Sequence, residues 1–301
     1  MKPWVNFILG GNMKKYKSNE ELLDYIMSKG IIVNNKNDTI DKFQRYTYYS
    51  IINTYKEVFK KDGKYINGVT FDEIFSLYEF DKNLKSIFLK YVLEVEIIVK
   101  ALISNIISEK YGIENYLIVD NFDSKSNVEL IKKLILNFNE EQAKNYGRHP
   151  AITHYLDKYG FVPPFVLTKI ITFGQISRYY GLLKQEDRQK VSKYFGIPDK
   201  LLKQILINLT LARNISAHND KLYTFRSKFL ISYKLIDKKF NGIEKSTNFY
   251  MLMNCMKLIL NSNQYNDFTN QINDEINTLS KKLKSIRIQA ILEIMGFPMN
   301  K

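Results

Sequence analysis

The stretch LARNISAHND, residues 211–220, places Arg213, Asn214 and His218 within six positions of one another. His218 is one of only three histidines in the chain. An imidazole ordinarily titrates near neutral pH, so a histidine can both accept and release a proton under physiological conditions. Two interpretations fit this polar group in an otherwise apolar helical pattern: the polar end of an ordinary helix, or half of an active site.

Helical periodicity places the three residues on two faces. At about 100° per residue, Arg213 continues a row of leucines that must face the core or another subunit: Leu202, Leu206 and Leu209. A charged group on a buried row needs a partner or a function. His218 lies about 140° away from Arg213 and shares its face with Asn214. The earlier positions of that face are also apolar, Ile207 and Leu211. The pattern predicts a helix packed on two sides, with its end opening into a cleft.

Helices must position these residues. The helix that carries them is predicted over about 199–218, opened by Pro198 after the turn FGIPD. Capping boxes, proline starts and glycine stops predict further helices at 18–29, 39–59, 70–111, 128–145, around His154, 164–183 and 267–295, the last as an amphipathic helix or a helical hairpin. Loops are predicted at 60–68 and 112–127, and partial alternation over 222–235 allows a strand or two.

These elements predict a mostly α fold in three parts. An N-terminal helical region covers residues 1–68, a helical core covers 69–235, and a C-terminal helical region covers 236–301. No internal repeat or low-complexity linker separates them.

Glu96 and Lys100 interrupt a core helix that is otherwise apolar on nearly all faces. Their i,i+4 spacing puts them on one face, where they can form an ion pair. They fit either a satisfied buried pair or part of a functional site.

The net charge of +14, from 45 basic against 31 acidic residues, favours polyanionic partners, nucleic acid first and an acidic membrane second. Only seven of the basic residues are arginine, and lysine, asparagine and isoleucine are abundant throughout the chain. The positive charge therefore also fits a general bias in amino-acid composition. Candidate RNA contacts lie on the polar face of the predicted C-terminal helix and near residue 150. For each of them, the alternative is simple solvent exposure or a structural role. The candidates are Lys281, Lys282, Lys284, Arg287, Arg148, His149 and His154.

Several classes of protein are disfavoured. Cys255 is the only cysteine, so neither an intramolecular disulfide nor a cysteine zinc site can form. The N-terminus lacks the apolar run of a signal peptide, and charges interrupt the most apolar segment, 84–107, too often for a membrane span. The sequence contains no HExxH, no G-x-S-x-G and no phosphate-cradling glycine-rich loop. We therefore expect a cytoplasmic protein without membrane contact.

The segment RNISAH fits R-N-x-x-A-H, a variant of the R-x4-H motif of the HEPN superfamily of helical ribonucleases. Over about 18–225 the chain resembles the abortive-infection (Abi) family of bacterial phage-resistance proteins, of the AbiD/AbiF type. The last matching block is the most specific, because it joins the FGIP turn, the helix and the motif in order. The matching blocks are YYSIINTYKEVF (48–59), LYEFDKNLK (77–85), VEIIVKALISNIISEKYG (95–112), ITHYLDKYG (152–160), TFGQISRYYGLL (172–183) and FGIPDKLLKQILINLTLARNISAHNDKLY (195–223).

The resemblance implies an α-helical HEPN-type bundle with additional N- and C-terminal helices. It implies a ribonuclease site without metal or other cofactor, shared between two R-x4-H motifs. Since the chain has one such motif, a homodimer follows. His218 would be the general acid or base, Arg213 would stabilise charge on the phosphate, and Asn214 would orient His218 or bind phosphate.

The family pattern also places Glu96 and Lys100 as support for the site, although the family usually has arginine where this chain has Lys100. The chain differs from the family pattern at two further positions. Relatives tend to have tryptophan in place of Phe165 and glutamate in place of Lys169. Neither departure touches the R-x4-H motif, but both can alter packing or RNA contacts.

Three functions remain as hypotheses. The first is a phage-defence endoribonuclease toxin that is regulated by a structured non-coding RNA acting as its antitoxin. The second is a non-catalytic RNA-binding HEPN protein. The third is a helical protein-interaction module that senses a phage component.

Overall fold

A computed structural model describes residues 16–218, 220–231, 236 and 246–298 of the chain. The regular secondary structure in this part of the chain is helical apart from two short pairs of strands, so the predicted mostly α class is confirmed. The residues group into two compact units. One runs up to Glu79 and includes Leu279–Arg287, and the other consists of Phe80–Thr278 and the residues from Ile288. The three-part division of the sequence stays a prediction.

The first unit begins with α1 (Asn19–Ser28) and α2 (Lys36–Tyr46), which pack against each other. The predicted single helix over 39–59 is wrong. α2 ends at Tyr46 because Thr47 adopts a φ of 61°, a left-handed conformation that cannot continue a right-handed helix. A π-helical turn (Tyr49–Asn53) and a 3-10 turn (Lys56–Phe59) follow.

The predicted loop over 60–68 contains a small antiparallel hairpin, formed by β1 (Lys60–Lys61) and β2 (Lys64–Tyr65). Asp62 and Gly63 make its two-residue turn, and both have positive φ angles. A two-residue hairpin turn of the type I′ class requires this conformation at both positions.

The long helix α3 (Phe71–Tyr111) starts in the first unit, at the predicted capping box of Thr70 and Glu73. The Glu73 side chain also accepts hydrogen bonds from the backbone N–H groups of Lys284 and Ser285, at 2.7 and 2.6 Å. These bonds fasten Leu279–Arg287 to the start of α3 within this unit.

The second unit contains most of α3 and the helices that follow it. Their bounds are α4 (Val128–Asn145), α5 (Pro150–Tyr159), α6 (Pro164–Leu167), α7 (Phe173–Leu182), α8 (Gln185–Tyr194), α9 (Asp199–Ala217), α10 (Phe249–Lys257), α11 (Ser262–Lys282, ending in the first unit) and α12 (Ile288–Met295). The core of the unit includes a fully buried row on α3: Leu84, Phe88, Val92, Val95 and Val99.

One predicted helix is wrong, whereas the predictions of a helical tail and of a strand within 222–235 agree with the structure. The helix predicted over 164–183 is two helices, since Thr172 starts α7 afresh with a capping box to Gln175. The tail predicted over 267–295 forms α11 and α12, separated by 283–287. In the predicted strand region, β3 (Arg226–Ser227) pairs antiparallel with β4 (Thr247–Asn248), and residues 232–235 lie outside the described part of the chain.

α9 packs against α7 and α8, and its leucine row is fully buried, as its periodicity predicts. In the described residues, the helices are too short or too polar to cross a membrane.

Candidate active site

The last turn of α9 carries Arg213 and Asn214, and His218 caps its end. Pro198 precedes the first turn, as predicted, and Asp199 there accepts a hydrogen bond from Arg188 Nε at 3.1 Å. At the other end, the backbone N–H of His218 donates to the carbonyl of Asn214 at 3.1 Å. A helix anchored at its start and along its leucine row holds its final turn in a fixed position.

Arg213 is half-buried, and its Nε is fully shielded from solvent without a hydrogen-bond acceptor in the described residues. An unpaired buried donor costs free energy, more so on a charged group. The prediction that Arg213 continues the buried row is thus confirmed for this atom. The guanidinium therefore keeps one donor unpaired within the described residues.

Asn214 and His218 are both exposed, on the other face of the helix. Asn214 lines a cavity of about 540 Å³ between α7 and α9. The three residues therefore meet at one helix end, with a partly buried cation on one side and two exposed polar groups on the other.

Glu96 and Lys100 form the expected ion pair, with 2.7 Å between Lys100 Nζ and Glu96 Oε1. Lys100 Nζ also donates to the carbonyl of Ile171 at 2.6 Å, directly before Thr172 starts α7. The other carboxylate oxygen, Glu96 Oε2, is buried and has no partner in the described residues. The pair thus anchors the start of α7, which faces Asn214 across the cavity.

The pair lines a second cavity, of about 620 Å³, between α3 and the segment that follows α6. Among the described residues, no hydrogen bond or ion pair joins Glu96 or Lys100 to the R-x4-H motif. The structure therefore does not bring the two groups into contact within one chain.

A second charged pair on α3 holds the chain directly after His218. Asp81 is fully buried and accepts the backbone N–H groups of Leu222 and Tyr223 at 3.0 and 2.8 Å. Lys85 lies 3.4 Å from Asp81 and donates to the carbonyl of Asp220 at 3.2 Å. Burial raises the pKa of the Tyr223 hydroxyl well above its ordinary value, and the Asp81 carboxylate adds to this effect.

The sequence interpretation missed Asp81 and Lys85. Their i,i+4 spacing on a mostly apolar helix is the signal that singled out Glu96 and Lys100, and the same rule applied to 81–85 finds them.

The candidates around residue 150 lie on the turn into α5 and on α5 itself. Arg148 is exposed, and His149 occupies the N-cap position of α5. The Nδ1 atom of His149 is buried and has no hydrogen-bond partner in the described part of the chain. His154 is exposed on α5, with its ring edge-on to Tyr155 at 5.5 Å between centroids. None of these residues lines the cavity beside Asn214.

The basic candidates of the tail belong to the first unit, whereas the motif belongs to the second. All four are exposed: Lys281, Lys282, Lys284 and Arg287. Lys282 is 3.4 Å from Glu79, a partner on α3. Within the described residues, no group of histidine, cysteine and acidic side chains is arranged to hold a metal ion.

Comparison with models of protein families matches residues 41–224 to the family described as Abi-like protein. The match covers more than half of the chain and includes α3, α7, α9 and the R-x4-H motif. Comparisons with curated proteins and with solved structures gave no significant match. The chain therefore belongs to the Abi-like protein family, whose name refers to abortive infection, a bacterial defence against phage.

Proposed function

We propose that this protein is a HEPN endoribonuclease toxin of abortive infection, which cuts RNA without a metal ion at a site completed by a second copy of the chain. The observation that carries the proposal is the last turn of α9. There Arg213 Nε, which has no acceptor among the described residues, lies beside the exposed Asn214 and His218. Family membership and the resemblance of RNISAH to the HEPN motif support it.

The chemistry is an attack of a ribose 2′-hydroxyl on the adjacent phosphorus. The 2′-oxygen forms a bond to phosphorus while the bond to the 5′-oxygen breaks, which leaves a 2′,3′-cyclic phosphate and a 5′-hydroxyl. One proton leaves the 2′-hydroxyl and one is delivered to the leaving 5′-oxygen. Imidazoles are suited to both transfers, and such general acid–base catalysis contributes roughly 10²–10⁴-fold.

A second copy supplies what one chain lacks. The reaction uses a base and an acid, and the other two histidines, His149 and His154, lie on the turn into α5 and on α5 itself. With His218 from each copy, one imidazole accepts the proton and the other donates it. Arg213 stabilises the negative charge that develops on the phosphate, because its guanidinium offers charge-assisted hydrogen bonds to phosphate oxygens.

Asn214 and the Glu96–Lys100 pair are the proposed supporting residues. The exposed Asn214 amide either orients His218 or donates to a phosphate oxygen. The pair supports the site through the start of α7, which Lys100 holds by the Ile171 carbonyl.

The regulator that we propose is a structured non-coding RNA. A net charge of +14 favours a nucleic-acid regulator over an acidic protein, since electrostatic attraction supplies much of the affinity for polyanions. Because RNA would be both its substrate and its regulator, we also propose that the protein acts in the cytoplasm.

Incubation of the purified protein with RNA in excess EDTA tests the chemistry. We expect cleavage that Arg213→Ala and His218→Ala each reduce by roughly 10²–10⁴-fold, with unchanged far-UV circular dichroism. Gln189→Ala is the control, because it removes an exposed polar side chain of α8 that belongs to none of the candidate sites. A 2′-deoxy substitution at the cut position should abolish cleavage. Dependence on magnesium, or cleavage that survives both motif substitutions, would refute the mechanism.

A non-catalytic RNA-binding function is the second candidate, favoured by the exposed basic residues of the tail. It predicts tight, salt-sensitive RNA binding without cleavage. A protein-interaction module is the third, favoured by exposed apolar side chains beside the second cavity, among them Ile97 at 61% exposure. It predicts that neither cleavage nor RNA binding is found.

A further inference from the structure

The groove between α7 and α9 has a lining that suits an anion. It has a volume of about 540 Å³ and exposes hydrogen-bond donors of both helices, among them Gln175 and Arg178 on α7 and Lys203 and Asn214 on α9. Two of these four donors are cations, and none of the described lining residues is a carboxylate. A groove with positive charge and no negative charge attracts a polyanion.

Arg178 is the cation that is free to bind. It is exposed, and no carboxylate pairs with it among the described residues. It is one of only seven arginines in this lysine-rich chain, and a guanidinium is the side chain that matches phosphate geometry with two parallel hydrogen bonds.

Lys203 is held in place across the groove. Its Nζ donates to the carbonyl of Gly181 at 3.1 Å. A Cβ atom at Gly181 would lie 3.1 Å from Lys203 Cε, so the absence of a side chain there makes room for the lysine. The ammonium group has three donors, and one suffices for the Gly181 carbonyl, which leaves further donors for a phosphate.

Phe229 supplies an aromatic surface at the edge of the groove. Its ring is 44% exposed, although its backbone is well anchored. The carbonyl of Phe229 accepts from Asn208 Nδ2 at 2.8 Å and from Thr247 Oγ1 at 2.9 Å. An exposed ring on a fixed backbone is a platform on which an unpaired base can stack.

The groove runs toward the catalytic histidine. The α9 residues that line it, from Lys203 to Asn214, share one face of the helix, and His218 is the next position of that face. From 203 to 214 the helix rises about 16 Å. A stacked strand advances about 3.4 Å per nucleotide, so this length accommodates roughly five nucleotides.

We propose that this groove holds a single-stranded segment of the RNA substrate and guides it toward His218, an inference that rests on the proposed function. Arg178 and Lys203 bind backbone phosphates, and Phe229 stacks on a base. The stacking contact requires a base that is not paired, because the bases of an A-form duplex are stacked inside the helix.

Binding measurements can test the groove apart from cleavage. The protein is prepared as His218→Ala, and a short fluorescein-labelled single-stranded RNA of mixed sequence is titrated in excess EDTA at several salt concentrations. Adding Arg178→Gln should weaken binding several-fold and reduce the salt slope by about 0.7, as loss of one phosphate contact does. Adding Phe229→Leu should weaken binding about tenfold with an unchanged slope, since it removes stacking but no charge.

Lys200→Gln is the matched control, since Lys200 is an exposed lysine of α9 outside the groove. It should leave both affinity and slope within error of the parent. The inference is overturned if the groove substitutions have no larger effect than Lys200→Gln, if the duplex form of the RNA binds more tightly than the single strand, or if no RNA binds.

The two proposals fail in different ways. If the wild-type protein cuts RNA while the groove substitutions change neither binding nor cleavage, only the groove assignment is lost. If the groove binds single-stranded RNA as described but the wild-type protein cuts none, the endoribonuclease proposal is lost instead.

Discussion

Asp81 accepts the backbone N–H of Tyr223 at 2.8 Å, across 142 positions of sequence. The same carboxylate oxygen accepts the N–H of Leu222. One turn further along α3, Lys85 Nζ donates a hydrogen bond to the carbonyl of Asp220. The chain that leaves the motif is therefore bound to the central helix within a few residues of His218.

Replacement of Asp81 should disturb the position of His218. Asp81→Ala leaves two buried N–H groups without an acceptor and the Lys85 ammonium without its carboxylate, so we expect a loss of about 3 kcal/mol in the free energy of unfolding. Asp81→Asn keeps an acceptor of the same shape and should cost less. In the folded Asn variant, kcat should fall on the order of tenfold to a hundredfold, because small displacements of a catalytic group are costly.

RNA affinity separates this role from a loss of fold. Asp81→Asn should bind RNA as the parent does in the His218→Ala background. Asp274→Asn, at an exposed aspartate of α11, is the control and should alter neither stability nor kcat. An Asp81→Asn variant with full cleavage activity would show that the Asp81 carboxylate does not position the motif.

The Glu96–Lys100 pair should behave as a buried ion pair whose partners depend on each other. Both side chains are well shielded, with exposures of 12% for Glu96 and 16% for Lys100. Lys100→Met leaves a buried carboxylate without its cation, which costs about 3 kcal/mol or more in the free energy of unfolding. The double substitution Glu96→Gln with Lys100→Met removes both charges, so we expect it to be more stable than Lys100→Met alone. Denaturant titrations of the wild type, Lys100→Met and the double variant measure this difference.

The same double variant also tests how the pair serves the site. If the pair acts by anchoring the start of α7, the double variant should retain measurable cleavage, with weakened RNA binding in the α7–α9 groove. A folded double variant that binds RNA normally and has lost all cleavage would instead assign the pair a direct part in the chemistry.

If two copies of the chain form one site, an inactive subunit should abolish the activity of the wild-type subunit with which it pairs. Wild-type protein is mixed with His218→Ala protein and left until subunits have exchanged. At equal amounts, about a quarter of the activity of the all-wild-type sample should remain rather than about half, since only pairs of wild-type copies hold two complete motifs. Mixing with Gln189→Ala should cause no such loss. Activity that falls in simple proportion to the wild-type fraction, or a strictly monomeric protein in light scattering with RNA, would contradict the shared site.

Local sequence signals predicted the helices that have clear start and stop residues. The capping boxes at Ser18 and at Thr70 both form, and α4 matches its predicted bounds. Breaks inside apolar patterns were missed. Thr47 ends α2 with a positive φ that a β-branched residue rarely adopts, and Thr172 restarts a helix in a stretch whose apolar spacing continues. Such breaks depend on tertiary packing, which periodicity does not record.

The candidate site was predictable where its residues lie on one helix. The spacing of Arg213 and His218 along α9 follows from helical geometry alone, as does the pairing of Glu96 with Lys100. Contacts between distant segments were not predictable. The bonds of Asp81 to 222–223 join positions far apart in the chain, and α7 packs against α9 with another helix between them in sequence. No local pattern fixes which of these segments meet.

Glu73 should make the stability of the protein depend on pH. Its side chain is buried, and although burial opposes ionisation, hydrogen bonds from Ser285, Lys284 and Thr70 hold the pKa of this carboxyl below its ordinary value. A carboxyl whose pKa is lower in the folded state than in the unfolded state stabilises the folded state. This stabilisation is complete at pH values above the unfolded-state pKa, which is about 4.3 for glutamate. That contribution is lost as the pH falls through the folded-state pKa. Glu73→Gln should therefore reduce the free energy of unfolding at neutral pH by roughly 1–3 kcal/mol. The difference between the two proteins should shrink as the pH falls below about 4.3.

Denaturant titrations of wild-type protein and Glu73→Gln across this pH range measure the effect. Asp24→Asn, at an exposed acidic residue of α1, is the control for general charge effects and should give a curve parallel to that of the wild type. Because Glu73 holds the backbone of Lys284 and Ser285, hydrogen exchange at those two amides should accelerate in Glu73→Gln at neutral pH. A difference in stability that stays constant with pH, or amides that remain protected, would show that the Glu73 carboxylate does not fasten this segment.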